Sequence, residues 1–203
     1  MLLDASIGPG RRFSVERVRI PGDVSAAQLE LLDTERRALL AEVERVAIGD
    51  RNRRPSPEQW SVAEILEHLA IVEQSVATLI ATRGRERLPD NAEPPVPLDE
   101  VRIARLRGRE RRIEVPDRVR PSGTLTAAAA REALDASRHA LLDAVNHADP
   151  AALAQRSYVH AIIGRIVLRD WIAFVAHHEA RHAAQIHEIA DALSGAKGIA
   201  TRP

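Results

Sequence analysis

The sequence contains no cysteine. That excludes structural disulfides, a cysteine nucleophile, a thiolate metal site and a protein-ligated iron–sulfur cluster. Aromatic residues are 2% of the 203: Phe13, Trp60, Tyr158, Trp171 and Phe174. They are too few for a platform on which bases could stack. An excess of either charge is also missing, since Lys+Arg and Asp+Glu are both 29. A neutral chain is a poor general binder of nucleic acid or of an anionic membrane. Lysine is nearly absent, because 28 of the 29 basic residues are arginine and only Lys197 is not. The replacement runs along the whole chain, so it reads as compositional bias rather than as a site. No run approaches the roughly 18 apolar residues of a membrane-spanning helix. The start, Met1-Leu2-Leu3-Asp4, is too polar beyond Leu3 for a signal peptide. The expected location is the cytoplasm.

What is present is 45% apolar and 29% charged residues, the balance of a soluble globular chain with room for a core. Leu29, Leu32, Leu39, Leu40, Val43 and Val46 recur near helical spacing, between an N-cap at Asp23 and a stop at Gly49. The second helix has a capping box, Ser61 with Glu64, the apolar stripe Val62, Ile65, Leu69, Val72, Val76 and Leu79, and a stop at Gly84. Residues 84–123 differ, holding six of the 12 prolines. This segment predicts a long crossover that wraps the body, with a short helix near 98–107. Its arginines 102, 105, 107, 109, 111 and 112 suit either a phosphate or carboxylate ligand or a solvated arm balanced by neighbouring acids. A third helix is predicted over 126–147, a short piece at 150–155, a connector at 157–164, and a last helix over 168–194 with Gly195 as its stop. No internal repeat and no strand pair with alternation is evident. The expectation is all-α: a four-helix bundle with one long crossover between helices 2 and 3.

Eight histidines carry the chemistry. His178 and His182 are four apart on one predicted helix, which puts both imidazoles on one face within reach of a single metal ion. The same pair is also what surface or hydrogen-bonded core histidines would give. His177 lies about 100° round the same helix. His68 falls between Ile65 and Val72, so it also faces inward. A third imidazole from a facing helix would make a three-nitrogen site with an open position, the catalytic pattern rather than the closed structural one. His178-Glu179-Ala180-Arg181-His182 also matches the zinc-protease motif H-E-x-x-H. The longer form of that motif fails, with Gln185 where glycine is needed and Glu188 where the third histidine would stand. Glu179 is a candidate base, or it points to the next helix and pairs with an arginine. Glu64 could orient His68, beside its capping role. His160 either lines the pocket from the connector or bonds locally to backbone.

The stretches Pro57-Glu58-Gln59-Trp60-Ser61-Val62-Ala63-Glu64-Ile65-Leu66-Glu67-His68-Leu69 and Gly164 to Ile186, with Val115-Pro116 and Arg120-Pro121-Ser122-Gly123 between them, resemble the DinB-like (YfiT-like) superfamily. The resemblance covers about residues 24–192 of a single domain spanning 1–203. It implies an up-down-down-up bundle, often a homodimer, and a divalent metal, zinc or nickel, held by His68, His178 and His182. It also makes the protease motif incidental. Similar proteins include transferases that use low-molecular-weight thiols and proteins described as metal-dependent hydrolases. The leading expectation is an enzyme that transfers such a thiol, as cosubstrate, to a small electrophilic molecule. The alternatives are hydrolysis by a metal-activated water, with Glu179 taking the proton, and a non-enzymatic bundle that binds a ligand or partner.

Overall fold

A computed structural model describes residues 24–85, 94–110 and 114–200, the last six as backbone only. It contains α1 (Ala26–Arg45), α2 (Val62–Arg83), α3 (Glu100–Arg107), α4 (Ala127–His147), α5 (Pro150–Gln155), β1 (Ser157–His160), β2 (Gly164–Val167) and α6 (Trp171–Ala200). The class is all-α, as the periodicity predicts. α1 lies along α6, and α2 lies along α4.

Local chemistry sets most boundaries. Ser61 Oγ accepts from Glu64 N, and the Glu64 carboxylate accepts from Ser61 N, so the expected capping box forms. α1 opens two residues beyond the predicted cap, at Ser25, where a second box with Gln28 satisfies the free N–H groups. Asp23 lies outside the described residues. α1 also ends earlier than Gly49, at Arg45, where Val46 turns extended. Gly195 does not stop α6, which continues to Ala200. By length and composition α2 would pass for a membrane-spanning helix. It is instead a core helix, with 56% of its apolar window buried and with Glu64, Glu67, His68 and Glu73 buried along it.

The connector holds a hairpin that the sequence reading does not foresee. β1 and β2 pair antiparallel from Ser157↔Val167 to His160↔Gly164, around a three-residue loop with Gly164 at φ +75°. Strands of four residues are too short for alternation to register. The left-handed glycine after a three-residue loop is the cue that was there to read.

The apolar core is in two parts. One is built around Leu32, Val76, Ile80, Leu141 and Phe174; the other around Leu39, Ile65, Leu69, Leu134 and Ile186. Between them lies a buried charged layer with one contribution or more from each long helix. Arg36 donates to Glu73 (2.8 Å) and Glu179 (2.7 Å), while Arg138 donates to the same two carboxylates (2.5 and 2.8 Å). Ser137 adds a bond to Glu73 (2.6 Å). Two guanidinium groups and two carboxylates cancel in charge, which is what makes their burial tolerable.

The crossover is fastened at both ends. Val96 bonds to Val167 and Ser157, Leu98 N–H donates to Asp170, and Arg102 donates to the Arg165 carbonyl. Leu106 of α3 is buried, Arg107 pairs with Glu35, and Arg109 pairs with Glu188. These three arginines therefore follow the balanced-arm reading; Arg111 and Arg112 lie outside the described residues. Further on, the Glu67 carboxylate accepts from Ser122 N (2.9 Å) and Gly123 N (3.3 Å), with Gly123 at φ +72°.

Candidate metal centre

α2 supplies His68 and α6 supplies His178 and His182. The structure brings all three together, each offering a ring nitrogen within 4.8 Å of the others. His178 Nε2 lies 3.4 Å from His68 Nε2 and 3.1 Å from His182 Nε2. The rings meet edge to face, at 71°, 66° and 89°. His177 is not part of the group; its Nδ1 accepts from Arg107 (3.0 Å).

Hydrogen bonds behind the rings fix two tautomers. His68 Nδ1 donates to the Val119 carbonyl (2.7 Å), and His182 Nδ1 donates to Gln185 Oε1 (2.9 Å). With those protons placed, Nε2 of each ring presents a bare lone pair. Both lone pairs face His178 Nε2, which can offer at most one proton. At least one of the two lone pairs is therefore left without a proton, and a cation among the three nitrogens would satisfy it. Zinc–nitrogen bonds of about 2.0–2.1 Å in a tetrahedron place the nitrogens roughly 3.3 Å apart. The two observed spacings match, and an all-imidazole donor set suits a divalent transition-metal ion. The residues fit a divalent ion.

Burial pushes the pKa of all three imidazoles down, that of His178 and His182 well below 6.5, and neighbouring imidazoles add to this for those two. Neutral rings are the form that ligates. The sign of the pH effect follows. The folded pKa values are depressed, so below about 6.5 the unfolded chain takes up protons that the folded chain refuses. Metal-free protein is expected to lose thermal stability as pH falls from about 7 to 5. A melting temperature that is flat across this range would contradict the neutral assignment.

Val119 and Gln185 are the supports that sequence reasoning missed. Val119 acts through its main-chain oxygen, for which side-chain identity carries no signal. Gln185 stands three after His182, at helical reach, and was readable only as the residue spoiling a protease motif. Glu64 does not orient His68; its carboxylate is taken by Ser61 and Arg54. Replacing Gln185 with leucine frees the His182 ring, and the expected result is roughly 10–100-fold weaker zinc binding in competition with a chromogenic chelator.

Glu179 turns away from the imidazoles. Its Oε1 accepts from Arg36 and Arg138 in the charged layer, and Oε2 is buried with no hydrogen-bond partner among the described residues. Of the two sequence readings, the geometry gives pairing with arginine. His160 does both things expected of it. Its Nδ1 accepts from Ile162 N (3.1 Å) and Ile163 N (3.4 Å), and its ring lines the cavity.

That cavity has a volume of about 1610 Å³ and opens onto the three imidazoles. Trp60, Val72, Leu106, Trp171 and Phe174 give it apolar walls, and residues 114–120 of the crossover form one side. Trp60 packs its ring 5.0 Å from that of His68, and Phe174 stacks on His178 at 5.5 Å.

The profile of the DinB superfamily matches residues 31–186, a span that includes all three histidines. The chain belongs to the DinB superfamily. The chain is also similar to the uncharacterized protein YuaE of Bacillus subtilis (strain 168), 26% identical over 150 residues, which are 71% of this chain and 86% of that protein. No solved structure matches the chain. Membership of the DinB superfamily and a histidine group able to hold a metal ion are thus two separate findings, one from residues 31–186 and one from three side chains.

Proposed function

We propose that this protein is a divalent-metal-dependent enzyme that joins a low-molecular-weight thiol to an electrophilic small molecule. His68, His178 and His182 are its metal ligands. The observation that carries the reading is the convergence of three neutral imidazoles, two with fixed tautomers, at the floor of an open cavity. A divalent ion held there supplies a Lewis acid with an open position, able to favour the deprotonated form of a bound thiol or water.

The chain's own residues do the rest. The Val119 carbonyl and Gln185 hold the His68 and His182 rings in register. Trp60, Trp171 and Phe174 exclude water and offer an apolar surface to a substrate body. Thiol transfer ranks above hydrolysis because Glu179, the nominal proton acceptor for hydrolysis, is spent on Arg36 and Arg138. A thiol is far more acidic than water, so at a divalent ion it would release its proton to solvent near neutral pH and needs no such base. The missing cysteine is consistent with a sulfur that arrives on the cosubstrate.

The test is a thiol-consumption assay on zinc- and nickel-loaded protein, with a set of low-molecular-weight thiols and an activated aryl chloride. A parallel arm uses activated esters and amides without thiol. Thiol-dependent turnover that is abolished in His178→Ala supports the proposal. Turnover confined to the ester or amide arm overturns it in favour of hydrolysis. Metal uptake with no turnover in either arm overturns it in favour of a binding role.

A further inference from the structure

The cavity wall beyond Phe174 carries two groups that the metal reading does not use. The first is His160. With Nδ1 occupied as an acceptor from two backbone N–H groups, its proton is on Nε2. That N–H has no protein partner among the described residues, yet it is not among the buried polar atoms without one, so it is open to the cavity. The second group is Arg118, at the tip of the crossover turn Asp117–Val119. It is exposed, lines the same cavity, and makes no hydrogen bond or ion pair with any described residue. By contrast its neighbour Arg120 pairs with Asp117 (3.1 Å), and Arg109 across the cavity pairs with Glu188 (2.6 Å). Arg118 and His160 line the same cavity, and burial first, then the charge of Arg118, bring the His160 pKa down to about 4. At neutral pH the imidazole is therefore a fixed neutral donor beside an unspent cation.

We infer that Arg118 and His160 form an anion subsite, which takes a carboxylate of the ligand through the Arg118 guanidinium and the His160 Nε2–H. The inference rests on the cavity being the substrate site and specifies what enters it. Phe174 links the His160 end of this subsite to the imidazoles, 4.5 Å from His160 and 5.5 Å from His178, centroid to centroid. Trp171 flanks the path at 5.6 Å from His160. The ligand class is a small carboxylic acid with an apolar body, its anionic end on the crossover side and its reacting end at the histidines.

Benzoate is the probe, with benzamide as its neutral isostere, titrated into metal-free protein and followed by the His160 imidazole resonances. Metal-free protein removes any carboxylate binding at a metal ion. Benzoate is expected to bind roughly tenfold or more tightly than benzamide, and Arg118→Gln is expected to abolish that preference. Arg118 is exposed and pairs with no described residue, so this variant is expected to retain its structure. Arg120→Gln is expected to keep the preference. Equal binding of the two probes, an undiminished preference in Arg118→Gln, or an equal loss in Arg120→Gln overturns the inference. Zinc uptake is measured on the same samples. Protein that binds benzoate through Arg118 but takes up no zinc overturns the metal proposal and supports the subsite.

Discussion

Protein purified without a histidine tag should carry about one equivalent of zinc or nickel per chain, and a His68→Ala/His182→Ala double variant should carry none. The effect is large because the two changes remove two of three donors and strip the remaining one of geometry. His178 alone is a monodentate ligand, no better than the exposed His147 or His187. The single variants should fall in between, each losing several orders of magnitude in affinity. Elemental analysis after exhaustive dialysis reads the stoichiometry, and circular dichroism confirms that the helices remain. Absence of metal in the wild type, even after reconstitution with either ion, would end the three-histidine reading.

The second large effect concerns the charged layer, whose residues do not line the open cavity. Arg36→Met is expected to destabilise the protein by about 3–5 kcal/mol, because it leaves Glu73 and Glu179 buried with one guanidinium between them. In a chain of this length that lowers the melting temperature by roughly 10 °C. Arg36 is 7% exposed and Glu179 1%, so water cannot take the place of the lost donor. Glu179 already has its pKa raised by burial, and the variant should raise it further. Arg45→Met is the control. Arg45 pairs with Glu42 and Asp191 at the surface, and the melting temperature should stay where it is. Equal melting temperatures for the two variants would mean that the layer contributes nothing specific.

The elements that were legible in the sequence are those whose signals are local. Ser61 with Glu64 places a capping box at the start of α2, and the helices expected over 126–147 and 150–155 coincide with α4 and α5. His68, His178 and His182 were legible because histidine on the inner face of a helix is conspicuous. The charged layer was not. Arg36 and Arg138 are two of 28 arginines, and nothing in their neighbourhood separates a buried guanidinium from a solvated one. The partners of Arg36 lie 37 and 143 residues away, so only the packed bundle identifies them. The same holds for His68 and the Val119 carbonyl, 51 residues apart. The path of the crossover over the cavity follows from that bond and from Glu67, and neither has a sequence signature.

The Val119 bond couples two equilibria that would otherwise be independent. The residue that aligns His68 belongs to the same turn that walls the cavity mouth. Swinging that turn outward to admit a bulky molecule breaks the Nδ1–H bond and leaves the His68 ring free to rotate. With an ion held by the three imidazoles, any molecule that binds better with the turn displaced would weaken the grip on it, and the ion would weaken that molecule by the same factor. Conversely, a ligand that bridges Arg118 and the imidazole end of the cavity holds the turn down and tightens the ion. Occupancy of the mouth and retention of the metal are then one thermodynamic quantity seen from two sides, so chelator resistance becomes a readout of what the cavity contains.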